Sequence, residues 1–341
     1  MIPALVEVEK NTRTVTAHFK YFSIFNENIF SIVFPNYISI DMNREFKAGY
    51  VAIVGEPNVG KSTLLNCLLK EKLSITSHKP QTTRQKVLGI YNNGDSQIVF
   101  LDTPGILKPK YMLHEEMIKH AITAIEDADV VVVIVDAGEK PRIPEEITET
   151  LKRLKTKKPI LLVLNKIDTI KKVELEERTS QYLEYKMFEK IIPISALRNE
   201  NIEMLLDEIK NYLPVGKPYY PTDIISSQPE RFFVAEFIRE KLFSQFKDEI
   251  PYACAVIIEQ FNERDEGKTF ISANIYVERE SQKKIIIGKN GSALKRLGTE
   301  ARIEIERFLQ KEVYLELHVK VREKWRKNKF AIKQFGYKSE K

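Results

Sequence analysis

Residues 55–62, GEPNVGKS, combine glycines, a lysine and a serine hydroxyl at a spacing that suits phosphate binding. Gly55 and Gly60 permit backbone conformations and close approaches that a side chain would block, so successive N–H groups can surround phosphate oxygens. Lys61 is expected to reach the β- and γ-phosphates of a nucleoside triphosphate, and the Ser62 hydroxyl is expected to bind Mg2+. The simpler alternative is a strand-to-helix turn that carries a surface lysine.

The flanking residues favour a phosphate-binding loop over a simple turn. Residues 48–55 are nearly continuously apolar, as in a buried strand, and residues 62–72 have apolar residues at helical spacing. A strand, a loop and a helix therefore follow one another in the order that such a site needs. The helix N-terminus adds partial positive charge at the position of the phosphates.

A second polar motif, DTPG, ends another predicted strand at residues 97–105. Asp102 is placed so that its carboxylate can hold Mg2+ through water, and Gly105 can present its N–H to the γ-phosphate. The predicted phosphate-binding residues of both motifs are Gly55, Glu56, Pro57, Asn58, Val59, Gly60, Lys61, Ser62, Thr63, Asp102, Thr103, Pro104 and Gly105.

The identity of the base follows from NKID, which ends the apolar run at residues 159–168. The Asp168 carboxylate can accept two hydrogen bonds from the N1–H and the exocyclic amine of guanine, whereas adenine has an unprotonated N1 and no such amine. The stem of Lys166 is expected to cover one face of the base, and Asn165 to join this loop to the phosphate loop. A backbone N–H at the end of a later strand, residues 191–197, could meet the guanine O6. The predicted guanine-binding residues are Asn165, Lys166, Asp168, Ser195, Ala196 and Leu197.

The order of these motifs resembles the translation-factor-like class of P-loop GTPases. The resemblance implies an α/β fold, a doubly wound and mostly parallel sheet, that binds GTP and GDP with Mg2+. It also selects Thr83, with Thr82 as the less favoured alternative, as the threonine that joins Mg2+ when γ-phosphate is present. Residues 78–90, which contain both, are predicted to form an exposed loop entering an edge strand. Ser62, Thr83 and Asp102 are the expected Mg2+ ligands.

The predicted catalytic residues are Lys61, Thr83 and Gly105. Ile106 occupies the position where many GTPases have a glutamine that orients the attacking water. Slow intrinsic hydrolysis is therefore expected, with water positioned by the backbone, by a potassium ion or by a partner. Related families with this apolar replacement have an asparagine in the phosphate loop that can ligate K+, and Asn58 matches it.

A cluster of prolines and a glycine at residues 214–222 predicts a linker between a GTPase domain, residues 47–213, and a second domain, residues 223–338. The second domain has the predicted order helix, strand, strand, helix, strand. These elements are expected at residues 229–246, 252–261, 268–278, 292–310 and 313–321. A chain of 341 residues is long enough for about two domains.

The sequence IIIGKNG at residues 285–291 places a G-x-x-G turn between two helical segments of the second domain. Glycines let the loop approach a nucleic-acid backbone, and Lys289 can meet a phosphate. With this turn and this strand order, the second domain resembles a KH domain of type II, which is an α+β fold smaller than the GTPase domain and binds RNA. The predicted RNA-binding residues are Lys284, Gly288, Lys289, Asn290, Gly291, Lys295 and Arg296.

Charge is distributed unevenly along the chain. The net charge is +6, but residues 283–341 contain 17 Lys and Arg against 7 Asp and Glu. This excess favours a polyanionic partner, although a run of charge can also be only a solvated face. The segment 320–337 mixes cations with Trp325, Phe330 and Phe335, which either stack on RNA bases or pack the tail onto the domain; packing is the favoured interpretation.

A GTPase domain followed by one KH domain, with these motifs between about residues 47 and 337, resembles the Era family of bacterial GTPases. The resemblance implies a monomeric factor in 30S ribosomal subunit assembly that binds the 3′ region of 16S ribosomal RNA, and no DNA. Two alternatives stay open: a GTPase that modifies or chaperones another RNA, and a GTP-dependent scaffold for which turnover is irrelevant.

Residues 1–41 have no counterpart in that family and lack the features of a signal or transit peptide. Translation is expected to begin at Met42; the alternative is a genuine appended segment. Two cysteines without metal spacing and no long apolar run favour a cytoplasmic protein, with any membrane contact peripheral to the cytoplasmic face.

Overall fold

The computed structural model describes residues 45–106, 108–153, 157–263 and 267–338. The N-terminal segment 1–41, for which a start at Met42 is expected, lies outside these residues.

The GTPase domain is built on a six-stranded sheet with the order β2-β3-β1-β4-β5-β6. Only β2 is antiparallel to its neighbour; the other pairs are parallel. The strands are β1 (Lys47–Val54), β2 (Val87–Asn93), β3 (Ser96–Asp102), β4 (Val130–Asp136), β5 (Ile160–Asn165) and β6 (Lys190–Pro193).

Five helices cover both faces of this sheet, as its apolar strands require. Along β1, Val51 and Ile53 face one apolar core while Ala52 and Val54 face the other. The mostly parallel, doubly wound sheet expected from the sequence is thereby confirmed. The helices are α1 (Lys61–Leu69), α2 (Met112–Asp127), α3 (Glu145–Lys152), α4 (Lys172–Leu183) and α5 (Ile202–Tyr212).

The segment that follows α5, residues 213–229, lies along the edge strand β2 and is bonded to it. Ile90 N–H donates to the carbonyl of Ile225 at 2.8 Å, and the Asn92 side chain donates to the carbonyl of Thr222 at 3.1 Å. The Ser226 hydroxyl donates to the Leu88 carbonyl at 2.6 Å. Because these bonds use the outer groups of β2, the segment covers the strand edge.

The second domain has a three-stranded sheet with the order β7-β8-β9, in which β7 is antiparallel and β9 is parallel to β8. The two longest helices of this domain contact each other through aromatic rings: those of Phe233 and Phe237 lie 5.3 Å and 5.2 Å from that of Phe308. The elements are α6 (Glu230–Gln245), α7 (Ile250–Ala253), β7 (Ala255–Asn262), β8 (Thr269–Val277), α8 (Glu280–Ile287), α9 (Ser292–Leu309), β9 (Val313–Val321) and α10 (Lys329–Gln334). This order is that of a KH domain, as expected.

One predicted boundary in this domain is wrong. Residues 252–261 were expected to form a single strand, but Tyr252 belongs to the short helix α7 and β7 begins at Ala255. Pro251 lies in the first turn of α7, where a missing N–H costs nothing because that group has no helical partner.

Within the part of the chain that the structure describes, no helix is both long and apolar enough to cross a membrane.

Candidate nucleotide site and its contacts with the second domain

The phosphate loop lies between the end of β1 and the start of α1. Gly60 has φ +101°, and a Cβ at this position would lie 2.2 Å from Nδ2 of Asn165, so a glycine is required. Lys61 is buried, and its ammonium donates to the carbonyls of Glu56 at 2.7 Å and Gly55 at 3.3 Å. Burial lowers the pKa of Lys61 to about 8, although the charges of Asp102 and Glu56 oppose the change. The loop therefore holds a buried cation beside backbone groups that can face phosphates.

Two hydroxyls and a carboxylate meet beside this loop. Ser62 Oγ donates to Asp102 Oδ2 at 2.8 Å and lies 2.9 Å from Thr83 Oγ1. Ser74 Oγ donates to the same carboxylate oxygen at 3.0 Å. Asp102 Oδ1 is buried and has no hydrogen-bond partner among the described residues. Burial raises the pKa of Asp102, opposed by the Lys61 charge and by the hydroxyl hydrogen bonds.

These oxygens fit a magnesium ion. Mg2+ prefers carboxylate, hydroxyl and water oxygens, and the unpartnered Asp102 Oδ1 is a buried acceptor that such an ion or its water would satisfy. Ser62, Asp102 and Thr83 would hold the ion, which would neutralise phosphate charge when bound.

The NKID loop is bonded to both neighbouring loops. Asn165 Nδ2 donates to the Val59 carbonyl at 2.8 Å, and Asn165 Oδ1 accepts from Ala196 N–H at 3.0 Å. Lys166 Nζ donates to the Asn58 carbonyl at 2.8 Å and pairs with Asp136 at 2.6 Å. The side chains at the end of β5 therefore fix the phosphate loop. Because the Ala196 N–H is already engaged, its contact with a guanine O6 stays a prediction.

Asp168 stands at the end of the same loop with its carboxylate held from one side. Oδ1 accepts from Ser195 Oγ at 2.6 Å, and Oδ2 lies 3.6 Å from Arg198 Nε. This orientation leaves acceptor positions on the carboxylate for a base edge. Leu197, between the two partners, is 80% exposed and beside the loop, where an apolar side chain can border a base.

The residue after the DTPG motif cannot orient water. Ile106 is buried in the core on the α2 and α3 side of the sheet, and its N–H donates to the Gly55 carbonyl at 3.1 Å. Asn58 was predicted as a possible K+ ligand, and its side chain donates to the His78 carbonyl at 2.9 Å. The phosphate loop and the segment 78–90, called the first switch from here on, therefore place the Asn58 amide and the His78 carbonyl next to each other.

The first switch segment is not an exposed loop, contrary to the sequence-based expectation. Thr83 and Arg84 are buried, because the second domain covers them. The Arg84 guanidinium donates to the carbonyls of Cys254 at 2.5 Å, Pro251 at 3.0 Å and Tyr252 at 3.1 Å. It also lies 5.9 Å and 5.7 Å from the ring centres of Trp325 and Tyr337.

Helix α6 supplies a second set of contacts to the same segment. The buried Arg239 donates to the Thr82 carbonyl and pairs with Glu236. Lys79 donates to two carbonyls at the end of α6, those of Phe243 and Phe246. The chain is thus bonded to the second domain on both sides of Thr83.

The DTPG motif and the start of α2 together are called the second switch from here on. It also touches this domain, through α2. His114 is buried, accepts from Lys110 N–H at Nδ1 (3.3 Å) and lies 2.9 Å through Nε2 from the side-chain oxygen of Gln81. Burial, followed by the charges of Arg84, Arg326 and Lys110, lowers the His114 pKa to about 4. Neutral His114 therefore joins the two switches. Leu113 and Met117 of α2 pack in one cluster with aromatic residues of the C-terminal tail, Trp325, Phe335 and Tyr337.

The predicted RNA-binding residues lie around the end of α8 and the start of α9. A cavity of about 420 Å3 lies between α9 and β9 and is lined by Gly291, Leu294, Lys295, Arg302, Tyr314 and Leu317, among others. Lys284, Lys289, Asn290 and Arg296 are exposed, and Gly288 begins the turn. Apolar walls with cations at the rim suit unstacked bases joined by phosphates.

Comparison with known proteins agrees with this geometry. The GTPase family described as 50S ribosome-binding GTPase matches residues 50–166, and the KH domain family matches residues 249–326. The GTPase Era of Geotalea uraniireducens is 48% identical over 295 residues, which are 86% of this chain and 99% of that protein. This chain belongs to the Era family of GTPases. A chloroplastic ERA-like GTPase of Oryza sativa is 46% identical over 86% of this chain and 70% of its own length.

Two solved Era structures have the same fold. A tyrosine-to-alanine variant of Aquifex aeolicus Era bound to GDP and AlF4− aligns with a TM-score of 0.82 and 42% identity, over 86% of this chain and 100% of that one. Era in complex with MgGDPNP and nucleotides 1506–1542 of 16S ribosomal RNA aligns with the same TM-score, identity and coverage. This Era-family chain is therefore a GTPase with a KH domain.

Sequence reasoning missed three residues at the site of this Era-family protein: Ser74, Arg84 and Arg239. Ser74 belongs to no motif. Arg84 directly follows the predicted Mg2+ ligand Thr83, which is the one signal that could have identified it, but its partners lie up to 170 residues away. Arg239 lies in a helix, where a cation is normally taken as solvated.

Proposed function

We propose that this GTPase binds the 3′ region of 16S ribosomal RNA through its KH domain when GTP is bound, and acts in assembly of the 30S subunit. The observation that carries the proposal is the bonding of the first switch to the KH domain through Arg84, next to Thr83. A ligand that orders Thr83 therefore acts on a residue fixed to the RNA-binding domain. The proposed RNA is the one seen in the related Era complex.

The phosphates are bound by one side chain and by several backbone N–H groups. The Lys61 ammonium leaves its loop carbonyls for phosphate oxygens, and the N–H groups of the loop and of Gly105 donate to them. The hydroxyls of Ser62 and Thr83, which lie 2.9 Å apart, would hold Mg2+ together with Asp102. After hydrolysis the γ-phosphate no longer holds Thr83, and the first switch is released.

The side chain of Ile106 is buried in the core, so other groups must position the attacking water. We propose that K+ completes the site, because the Asn58 amide lies 2.9 Å from the His78 carbonyl. Rotation of this amide would present its oxygen beside that carbonyl, and two such oxygens are suitable ligands for a large monovalent cation.

The test is crosslinking and sequencing of RNA bound to the protein in cells, for the wild type and a Gly291→Asp variant. Reads at the 3′ end of 16S rRNA that vanish in the variant are expected; reads on another RNA would contradict the proposed partner. Both glycines have a positive φ, which strains any side chain, but a side chain at Gly291 meets nothing within 4 Å, whereas at Gly288 a Cβ would lie 2.7 Å from that of Ala293. Gly267→Asp, at another position with a positive φ and nothing within 4 Å, is the matched control.

A further inference from the structure

The C-terminal tail contains one aromatic side chain that does not pack. Trp325, Phe335 and Tyr337 are buried, which confirms the packing interpretation for the first two. Phe330 is 71% exposed. Leaving a phenyl ring in water forfeits apolar burial, so this ring is a candidate contact for a partner.

The exposure of Phe330 does not come from a loose chain end. The Asn328 side chain accepts from Ala331 N–H at 3.0 Å and caps α10, the helix that carries the ring. Ile332 on the opposite face is buried, and Trp325 Nε1 donates to the Ala253 carbonyl at 2.8 Å. The fold therefore fixes the ring in an outward position.

The surroundings of this ring are strongly basic. Residues 324–338 contain no Asp or Glu. Five of their lysines are exposed, and among the described residues no carboxylate lies at ion-pair distance from them. These lysines are Lys324, Lys327, Lys329, Lys333 and Lys338. A single aromatic ring among uncompensated cations has the chemistry that single-stranded nucleic acid requires, since bases stack on the ring and phosphates meet the charges.

Strand β9 connects the basic residues around Phe330 to the cavity between α9 and β9, called the KH groove from here on. Tyr314 and Leu317 line the groove at the first half of the strand, and the basic residues begin at Lys324, shortly after its end. Even fully extended, residues 317–324 span at most about 25 Å. A KH groove holds about four nucleotides, so a longer RNA has nucleotides beyond it that can cover this distance.

We propose that Phe330 and the five lysines around it form a second RNA contact, in which the ring stacks on an unpaired base outside the KH groove. The inference rests on the proposed RNA binding by the KH domain. A lipid surface is the weaker candidate, because an interfacial helix needs a broad apolar face. In α10 the other apolar residues, Ala331 and Ile332, are buried in the protein, which leaves a single ring.

The test is fluorescence-anisotropy titration of the full chain, loaded with a GTP analogue, with the rRNA fragment 1506–1542 and with oligonucleotides shortened from either end. Phe330→Ala is expected to weaken binding of the longest RNA roughly 5- to 100-fold, the range for one lost base stack. It should leave the shortest bound RNA unaffected. Phe330→Tyr is expected to restore binding, whereas Phe330→Leu, which is apolar but cannot stack, should behave as the alanine variant does.

Charge variants test the lysines separately. Replacing Lys329 and Lys333 by glutamine should reduce the slope of log affinity against log salt by about 1.4, the value for two contacts to a single strand. The same replacement at Lys171 and Lys172, exposed in the GTPase domain, should leave the slope unchanged.

The outcomes separate the two proposals. If the wild type binds no RNA, the proposed function and this inference both fail. If Gly291→Asp abolishes binding but Phe330→Ala binds every RNA as the wild type does, only the second contact is overturned. Binding to phosphatidylcholine–phosphatidylserine vesicles that Phe330→Leu retains, with RNA affinity unaltered by Phe330→Ala, would assign the surface to lipid instead.

Discussion

Arg84 of the first switch donates a hydrogen bond of 3.0 Å to the carbonyl oxygen of Pro251 in the KH domain. The same guanidinium satisfies two further carbonyls, so its removal leaves buried acceptors unpaired. Arg84→Ala is expected to lower the free energy of unfolding by about 2–4 kcal/mol in urea titrations. It should also slow GTP hydrolysis more than it weakens GTP binding, since Arg84 does not face the nucleotide.

Arg84→Lys tests the planar geometry of the guanidinium, because it keeps the charge but cannot reach three carbonyls at once. Its effect should lie between those of the wild type and Arg84→Ala. Arg153→Ala, at an exposed pair with Glu149, is the control and should change stability by less than about 0.5 kcal/mol. If Arg84→Ala had the stability and the GTP turnover of the wild type, Arg84 would not be a functional connection between the domains.

Asp168→Asn should change the preferred base. The carboxylate accepts two hydrogen bonds from guanine, and an amide replaces one acceptor with a donor. GTP affinity is expected to fall about 100-fold or more, equal to about 3 kcal/mol. Affinity for xanthosine triphosphate should rise, because a carbonyl replaces the exocyclic amine in that base. Calorimetric titration of both nucleotides measures the change; equal affinities before and after the substitution would contradict the assignment.

Hydrolysis is expected to depend on the monovalent cation. In KCl the turnover of GTP should exceed that in NaCl roughly tenfold, which corresponds to about 1.4 kcal/mol of barrier. Asn58→Ala should remove the difference, and Asn93→Ala, at the exposed end of β2, should not. Phosphate release under multiple turnover gives the rates. Identical rates in the two salts for the wild type would exclude a potassium site.

Stability should fall in mild acid through His114. Its pKa is about 4 in the folded protein against an ordinary 6.5, so between these values the unfolded chain binds a proton that the folded chain does not. The stability from this group is almost fully present at pH 7, and about 2 kcal/mol of it is lost between about pH 7 and about pH 5. Comparing urea titrations of the wild type and His114→Gln at both pH values isolates this loss. Parallel decreases in the two proteins would show that other groups cause it.

Most of the GTPase site was predictable because its motifs are local. Lys61, Asp102 and Asp168 each follow a strand whose apolar run is evident in the sequence, and parallel strands bring their ends to one edge of the sheet. The burial of Arg84 was not predictable, since it depends on carbonyls of a helix in another domain. Two residues of that helix, Tyr252 and Ala253, were themselves predicted as strand, because the apolar residues 252–254 fit either element.

The segment that joins the domains also has a consequence for truncated forms. A GTPase domain cut after Leu213 would lose the backbone and side-chain partners of Leu88, Ile90 and Asn92. The exposed outer groups of β2 would then be available to a strand of another molecule, so the isolated domain should self-associate more than the intact chain. Protection of this strand edge therefore depends on residues that follow the last helix of the nucleotide domain.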